Sequence, residues 1–149
     1  MNVYEMFMLE SNCIEGEERL NPCDDDAIDL ALTGIETEND ILSLHKLLGE
    51  YLNKSWVGKY RHVNVTVGRC VPPKWENVPL LMQDYVQRLP DMDSFTAHNA
   101  FEKIHPFRDL NGRVGRLIWL SKAIDEGYTF SMPFLQKYYY QTLNYFEEL

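Results

Sequence analysis

The chain has 149 residues, 45% of them hydrophobic and 25% charged, enough for one globular domain whose core needs no staples. A formal charge of −9 excludes general nucleic-acid binding, because a duplex would be repelled, but it leaves room for a local cationic site. Cys13, Cys23 and Cys70 lack metal or redox spacing, no apolar run reaches membrane-span length and no signal peptide is evident, so a soluble cytoplasmic protein is expected.

Repeats, low-complexity tracts and linkers are absent, which favours one unit over residues 1–149. Asp24-Asp25-Asp26 ahead of an apolar stretch predicts a helix with acids at its positive dipole end, closed by Gly34. Asn39-Asp40 is the candidate cap of the next helix, where Ile41, Leu44, Leu47, Leu48 and Tyr51 share one face. Val63, Val65 and Val67 alternate with Asn64 and Thr66, the pattern of a half-buried strand. Pro72-Pro73 closes that region and is expected to start a helix through Val78, Leu81, Met82, Tyr85 and Leu89, stopped by Pro90. Ser94 to Ile104 suits a helix that delivers His105 at its C-terminus, since Pro106 disfavours helical geometry just before it. Asn111 to Asp125, ended by Gly127, and Pro133 to Glu148 complete a mostly α domain with one hairpin.

The chemistry concentrates between two of these helices. His105-Pro106-Phe107-Arg108-Asp109-Leu110-Asn111-Gly112-Arg113-Val114-Gly115-Arg116 supplies an imidazole, a carboxylate, guanidinium groups and an Asn-Gly turn, and the apolar run Leu117–Leu120 follows at once. A helix N-terminus offers unpaired N–H groups and a positive dipole end, and arginines add forked donors for phosphate oxygens. Asp109 suits a divalent cation bridging such phosphates, and His105 suits a general base near neutrality. The residues by themselves point to a nucleotide-phosphate site with a base beside it. His45, His62 and His98 have no ligand spacing and read as structural or surface groups.

The same stretch resembles the signature of Fic-domain proteins, His-x-Phe-x-Asp/Glu-Gly-Asn-Gly-Arg-x-x-Arg. It matches at His105, Phe107, Asp109, Asn111, Gly112, Arg113 and Arg116, and departs at Leu110, where the family usually has Gly. Ser11-Asn12-Cys13-Ile14-Glu15-Gly16 resembles the inhibitory motif of self-regulated Fic proteins, which implies an inhibitory helix over about residues 1–20. Gly58 to Val67 resembles the β-hairpin flap that holds a target segment over the active site, with Val63, Asn64, Val65, Thr66 and Val67 as its target-binding strand.

The resemblance implies a compact helical Fic fold and transfer of AMP from ATP to a Ser, Thr or Tyr hydroxyl of a protein target. It implies His105 as base and Asp109 as the Mg²⁺ ligand. Phe107, Leu110, Asn111, Gly112, Arg113 and Arg116 would form the nucleotide site. It implies regulation by Ser11, Glu15 and Gly16, with Glu15 pairing Arg116 and denying it to the γ-phosphate. Leu110 keeps two alternatives open: another phosphoryl or nucleotidyl transfer, as in the related Doc toxins or in UMP transfer, and a non-catalytic binding module. The Tyr138-Tyr139-Tyr140 cluster reads as core and dimer surface, with self-modification the lesser reading; neither a membrane nor a nucleic acid is an expected partner.

Overall fold

The structure is a computed structural model and describes residues 2–127. The helix expected over Pro133–Glu148 and the tyrosine cluster within it lie outside the described residues. Among those residues run six α-helices: α1 Val3–Ile14, α2 Asp24–Thr33, α3 Glu38–Gly49, α4 Val78–Arg88, α5 Ser94–Ile104 and α6 Asn111–Asp125.

Local chemistry sets most of these boundaries. Asn2 and Glu5 form a capping box at the start of α1. Its other end closes through the bonds Gly16 N–H to the Cys13 carbonyl and Glu17 N–H to the Asn12 carbonyl. That pairing needs a left-handed residue just past the helix, and Gly16 takes it at φ 84° without a β-carbon penalty. The α3 cap is a correction: it is Thr37, with Asp40 as the reciprocal acid of the capping box. Asp40 is third in the helix because its carboxylate reaches back to the N–H groups of Glu36 and Thr37. The start of α4 is a second correction. Lys74 is still extended after Pro72-Pro73, a 3₁₀ turn over Trp75–Asn77 intervenes, and Pro79 sits in the first turn, where a missing N–H costs nothing.

α6 is the centre of the molecule. It packs against α5, α2, α3 and α1, and it is buried on nearly every side, including Val114, Leu117, Ile118 and Leu120. α5 and α6 are antiparallel, because Ser94 at the start of α5 bonds Glu126 just past the end of α6. They approach closely at Gly115, where an added β-carbon would lie 2.3 Å from Glu102 Oε1 and 3.1 Å from the Phe101 ring. The loop joining them, residues 105–110, carries the chemistry singled out from the sequence.

The hairpin expected over Val63–Val67 does not form a sheet. Among the described residues the region contains one isolated antiparallel bridge, Val67 to Cys70. The ladder lacks partners. Pro72 and Pro73 have no N–H to donate, the carbonyls of Val63 and Pro73 are taken by the Arg61 guanidinium, and Asn64 Oδ1 accepts from Trp75 N–H.

Candidate functional site

The 105–110 loop is held by a dense set of short bonds. Asn111, first residue of α6, accepts from Phe107 N–H at 2.9 Å and donates to the Phe107 carbonyl at 2.7 Å. The fully buried Phe107 ring stacks on His45 of α3, with centroids 3.8 Å apart and planes 4° from parallel. His45 Nδ1 accepts from Gly58 N–H at 2.9 Å, so its proton sits on Nε2 and is donated to the Asp109 carbonyl at 3.1 Å. Burial pushes the His45 pKa down to about 4, which keeps this neutral tautomer through the physiological range.

Arg61 fastens the other side. It is 2% exposed, and its guanidinium donates to the carbonyls of His105, Val63, Pro73 and Ile104. Its own N–H donates to the Pro106 carbonyl at 2.9 Å. One arginine thus ties the 61–73 segment to the end of α5.

His105 and Leu110, the residues flanking the loop, both take left-handed backbone, with φ of 50° and 70°. For Leu110 this explains why glycine suits the position: a non-glycine residue there costs about 1–2 kcal/mol. The leucine recovers it through burial. Its side chain is 4% exposed and so close to α3 that a β-carbon on Gly49 would lie 2.9 Å from Leu110 Cδ1. The isobutyl group is a core group and not a plug.

A cleft of about 350 Å³ opens beside the loop, bordered by His105, Asp109, Asn111 and Gly112 on one side and by Glu15, Thr66 and Val67 on others. Among the described residues no side chain caps the first turn of α6, so its N–H groups are left for another acceptor. Behind His105 stands a buried carboxylate. Glu102 Oε2 is 3.7 Å from His105 Nδ1, and its Oε1 is 3.6 Å from His98 Nε2. Burial raises the Glu102 pKa to about 7 and lowers that of His98 to about 4. Burial also lowers His105, with the Arg61 charge adding to the effect, so the imidazole is neutral at neutral pH.

Both α6 arginines are covered by the N-terminal segment. Arg116, 1% exposed, donates to Ser11 Oγ at 2.6 Å, the Ser11 carbonyl at 3.1 Å and Glu15 Oε1 at 2.8 Å. Arg113 donates to Tyr51 Oη at 3.1 Å and lies 3.5 Å from Glu17 Oε2. Burial alone would raise the Glu17 pKa, but hydrogen bonds from Asn21 and Tyr51 and the Arg113 charge hold it below the usual range. Gly16 makes the turn that presents both acids to one helix.

No three His, Cys, Asp or Glu side chains converge on a metal-sized space among the described residues. Asp109 is exposed on the cleft, and its Oδ1 accepts from Leu110 N–H at 2.7 Å. A single carboxylate of this kind fits Mg²⁺, which keeps waters and takes its other ligands from substrate phosphates, and does not fit a metal caged by protein alone.

The Fic/DOC family profile matches residues 35–120. The chain belongs to the Fic/DOC family. A protein from Drosophila yakuba named Protein adenylyltransferase Fic is 35% identical over 101 residues, covering 62% of this chain and 20% of that protein. Its namesake from Drosophila melanogaster is 34% identical over the same length. This Fic chain therefore spans about one fifth of the curated relatives it matches. A Fic family protein from Desulfovibrio desulfuricans G20 superposes with a TM-score of 0.67 at 24% identity, over 83% of this chain and 48% of that one. A Fic-domain signaling protein from Bacteroides thetaiotaomicron VPI-5482 gives 0.71 at 19% identity, over 97% and 69%. At such identities the likeness shows the Fic fold.

The structure brings His105, Asp109, Leu110, Asn111 and Gly112 of the signature stretch to one cleft with Glu15, and sets Arg113 and Arg116 behind them under α1 and its following turn. Phe107 is not exposed to the cleft; it anchors the loop from below. Thr66 and Val67 reach the cleft edge, whereas Val63, 40% exposed, borders a neighbouring hollow. Sequence reasoning read His45 as a structural or surface group, and the structure makes it a buried structural one; it did not anticipate the site roles of Arg61, Glu102, Glu17 and Tyr51. His45 had one legible signal, a polar residue on the apolar Ile41–Leu44–Leu48 face. Glu102 lies only three and four residues from His105 and His98, a helical spacing that sequence could have shown, whereas Arg61 meets His105 and Tyr51 meets Glu17 across long stretches of chain.

Proposed function

We propose that this protein transfers the AMP moiety of ATP to a hydroxyl of a protein, and that Glu15 restrains the reaction by occupying Arg116. The observation that carries the reading is one cleft bordered by His105, Asp109, the uncapped start of α6 and Glu15. The curated relatives that bear the name protein adenylyltransferase support it.

In this reading, neutral His105 takes the proton of the target hydroxyl as its oxygen attacks the α-phosphorus. The bond from that phosphorus to the β-phosphate oxygen breaks, pyrophosphate leaves, and a phosphodiester to AMP remains on the target. The Glu102 carboxylate, 3.7 Å from His105 Nδ1, stabilises the imidazolium by its charge. The N–H groups at Asn111 and Gly112 and the Arg113 guanidinium hold phosphate oxygens in line. Asp109 would hold Mg²⁺, which would supply charge neutralisation on the phosphates. General-base help from His105 contributes about 10²–10⁴-fold.

The restraint has a direct geometry. Glu15 Oε1 and Ser11 hold Arg116 toward α1, so a triphosphate that needs the guanidinium must displace the carboxylate. Incubation of wild type, Glu15→Gly and Glu15→Gly/His105→Ala with Mg²⁺ and α- or γ-labelled ATP tests both parts. Retention of α-label alone, strong in Glu15→Gly and lost with His105, is the expected result. Retention of γ-label would replace AMP transfer by phosphate transfer, and no label together with no ATP-induced thermal shift would end the enzyme reading.

A further inference from the structure

A second hollow of about 260 Å³ lies beside the first, and Arg108 borders both. Its cationic members are Lys59, Arg61 and Arg108, and Trp56, Tyr60 and His62 supply flat rings. Among the described residues no carboxylate borders it. In a chain of net charge −9, three full positive charges around one small space are a local reversal of sign.

The floor charge is unusual in kind. Arg61 is 2% exposed, and its hydrogen-bond partners among the described residues are all main-chain carbonyls, so hydrogen bonding is met but its positive charge is not neutralised. Its five N–H donors meet four acceptors, leaving one hydrogen over. Burial lowers its pKa, which registers the cost of that charge, and Glu76 opposes the shift only through space. Lys59 and Arg108 are exposed and make no ion pair among the described residues. The nearby acid Glu38 is occupied by the Tyr60 hydroxyl at 2.7 Å.

The segment 61–67 links the two spaces. Arg61, His62 and Val63 border the cationic hollow, and Thr66 and Val67 border the cleft that contains His105. A polypeptide lying along this segment passes from one to the other within about four residues, at most about 14 Å of extended chain. We propose that the hollow is a subsite for an acidic side chain of the target, a carboxylate or a phosphorylated residue, within about four residues of the hydroxyl that is modified. The inference rests on the AMP-transfer reading for the identity of the occupant, and it narrows the target class to hydroxyls with an acidic neighbour. Buried positive charge lacking a carboxylate partner gains most from an incoming oxyanion, and the rings favour its flanking apolar atoms.

The test uses synthetic thirteen-residue peptides with a central Ser and an Asp, a phosphoserine or an Asn placed one to six residues to either side. Binding to the full chain carrying His105→Ala is read by fluorescence anisotropy without ATP, and labelling by the Glu15→Gly chain is read with α-labelled ATP. We expect Asp or phosphoserine peptides, best within four residues, to bind at least tenfold more tightly than Asn peptides, with the advantage shrinking as salt rises. Lys59→Glu should erase that preference, Lys59→Ala should halve it or more, and the Asp and phosphoserine arms decide which oxyanion is preferred. Acid-selective binding without any labelling would sustain the subsite and end the transfer reading. Labelling and binding indifferent to the acid, or a preference untouched by Lys59→Glu, would overturn the subsite and leave transfer standing.

Discussion

Replacing His45 by phenylalanine separates a ring that merely fills space from an imidazole that holds the 105–110 loop. Phenylalanine keeps a flat ring against Phe107 but loses the acceptor for Gly58 N–H and the donor to the Asp109 carbonyl. Each lost bond costs about 1 kcal/mol net, and each stranded backbone group adds about 1–3 kcal/mol where water does not reach it. The loss at pH 7 is about 2 kcal/mol where water reaches both groups and about 4 kcal/mol or more where it reaches neither. The pH dependence carries the sharper signature. His45 has a folded pKa of about 4 against 6.5 when exposed, so the unfolded chain binds the extra proton between those values. Its contribution is complete above about pH 6.5 and is lost as pH falls toward 4, at ~1.4 kcal/mol per unit. By pH 5 the wild type has forfeited about 2 kcal/mol that His45→Phe never had. Urea unfolding of both proteins from pH 7.5 to 4.5 should therefore show two stability curves that converge on acidification. Parallel curves would refute the buried neutral tautomer and with it this account of loop support.

Other substitutions probe the remaining parts. Glu15→Gly should tighten ATP binding at least tenfold by calorimetry while Arg116 keeps its bonds to Ser11, so the melting temperature should change little. Unchanged affinity would remove Glu15 from control of the site. Leu110→Gly relieves about 1–2 kcal/mol of left-handed strain but forfeits about 1.5–3 kcal/mol of burial, leaving a net loss near 1 kcal/mol with transfer activity preserved. A large gain in activity would mean the leucine obstructs the cleft after all. Gly115→Ala forces a β-carbon against Glu102 and Phe101 and should cost about 1–3 kcal/mol, visible as a lower urea midpoint. Glu102, with its pKa raised to about 7, is charged above that pH and protonated below it, so transfer should rise through pH 7 in wild type. A Glu102→Gln protein showing the same rise would exclude Glu102 as its source.

Much of the helical frame was legible in the chain. The acids before Ala27, the glycine after Thr33 and the Ser94–Ile104 and Asn111–Asp125 periods mark helices where they occur, because caps and apolar spacing act over a few residues. Thr37 was overlooked for Asn39-Asp40 because a capping box puts its acid inside the helix. The valine alternation at 63–67 misled for the opposite reason. A strand exists only with a partner, and Arg61 and the two prolines withdraw the groups a partner would need.

The order of residues alone determined the loop chemistry: an imidazole at a helix end, a carboxylate four residues on, and two arginines in the helix that follows. It equally determined that an acid-and-glycine motif stands near the amino end. Tertiary structure decided what those groups face. Arg116 meets Glu15 across a sequence separation of 101, His45 reaches Asp109 across one of 64, and Arg61 reaches His105 across one of 44. Such pairings are set by how α1 and α3 pack on α6, a property of summed side-chain volumes and buried polar groups that no local window of sequence contains.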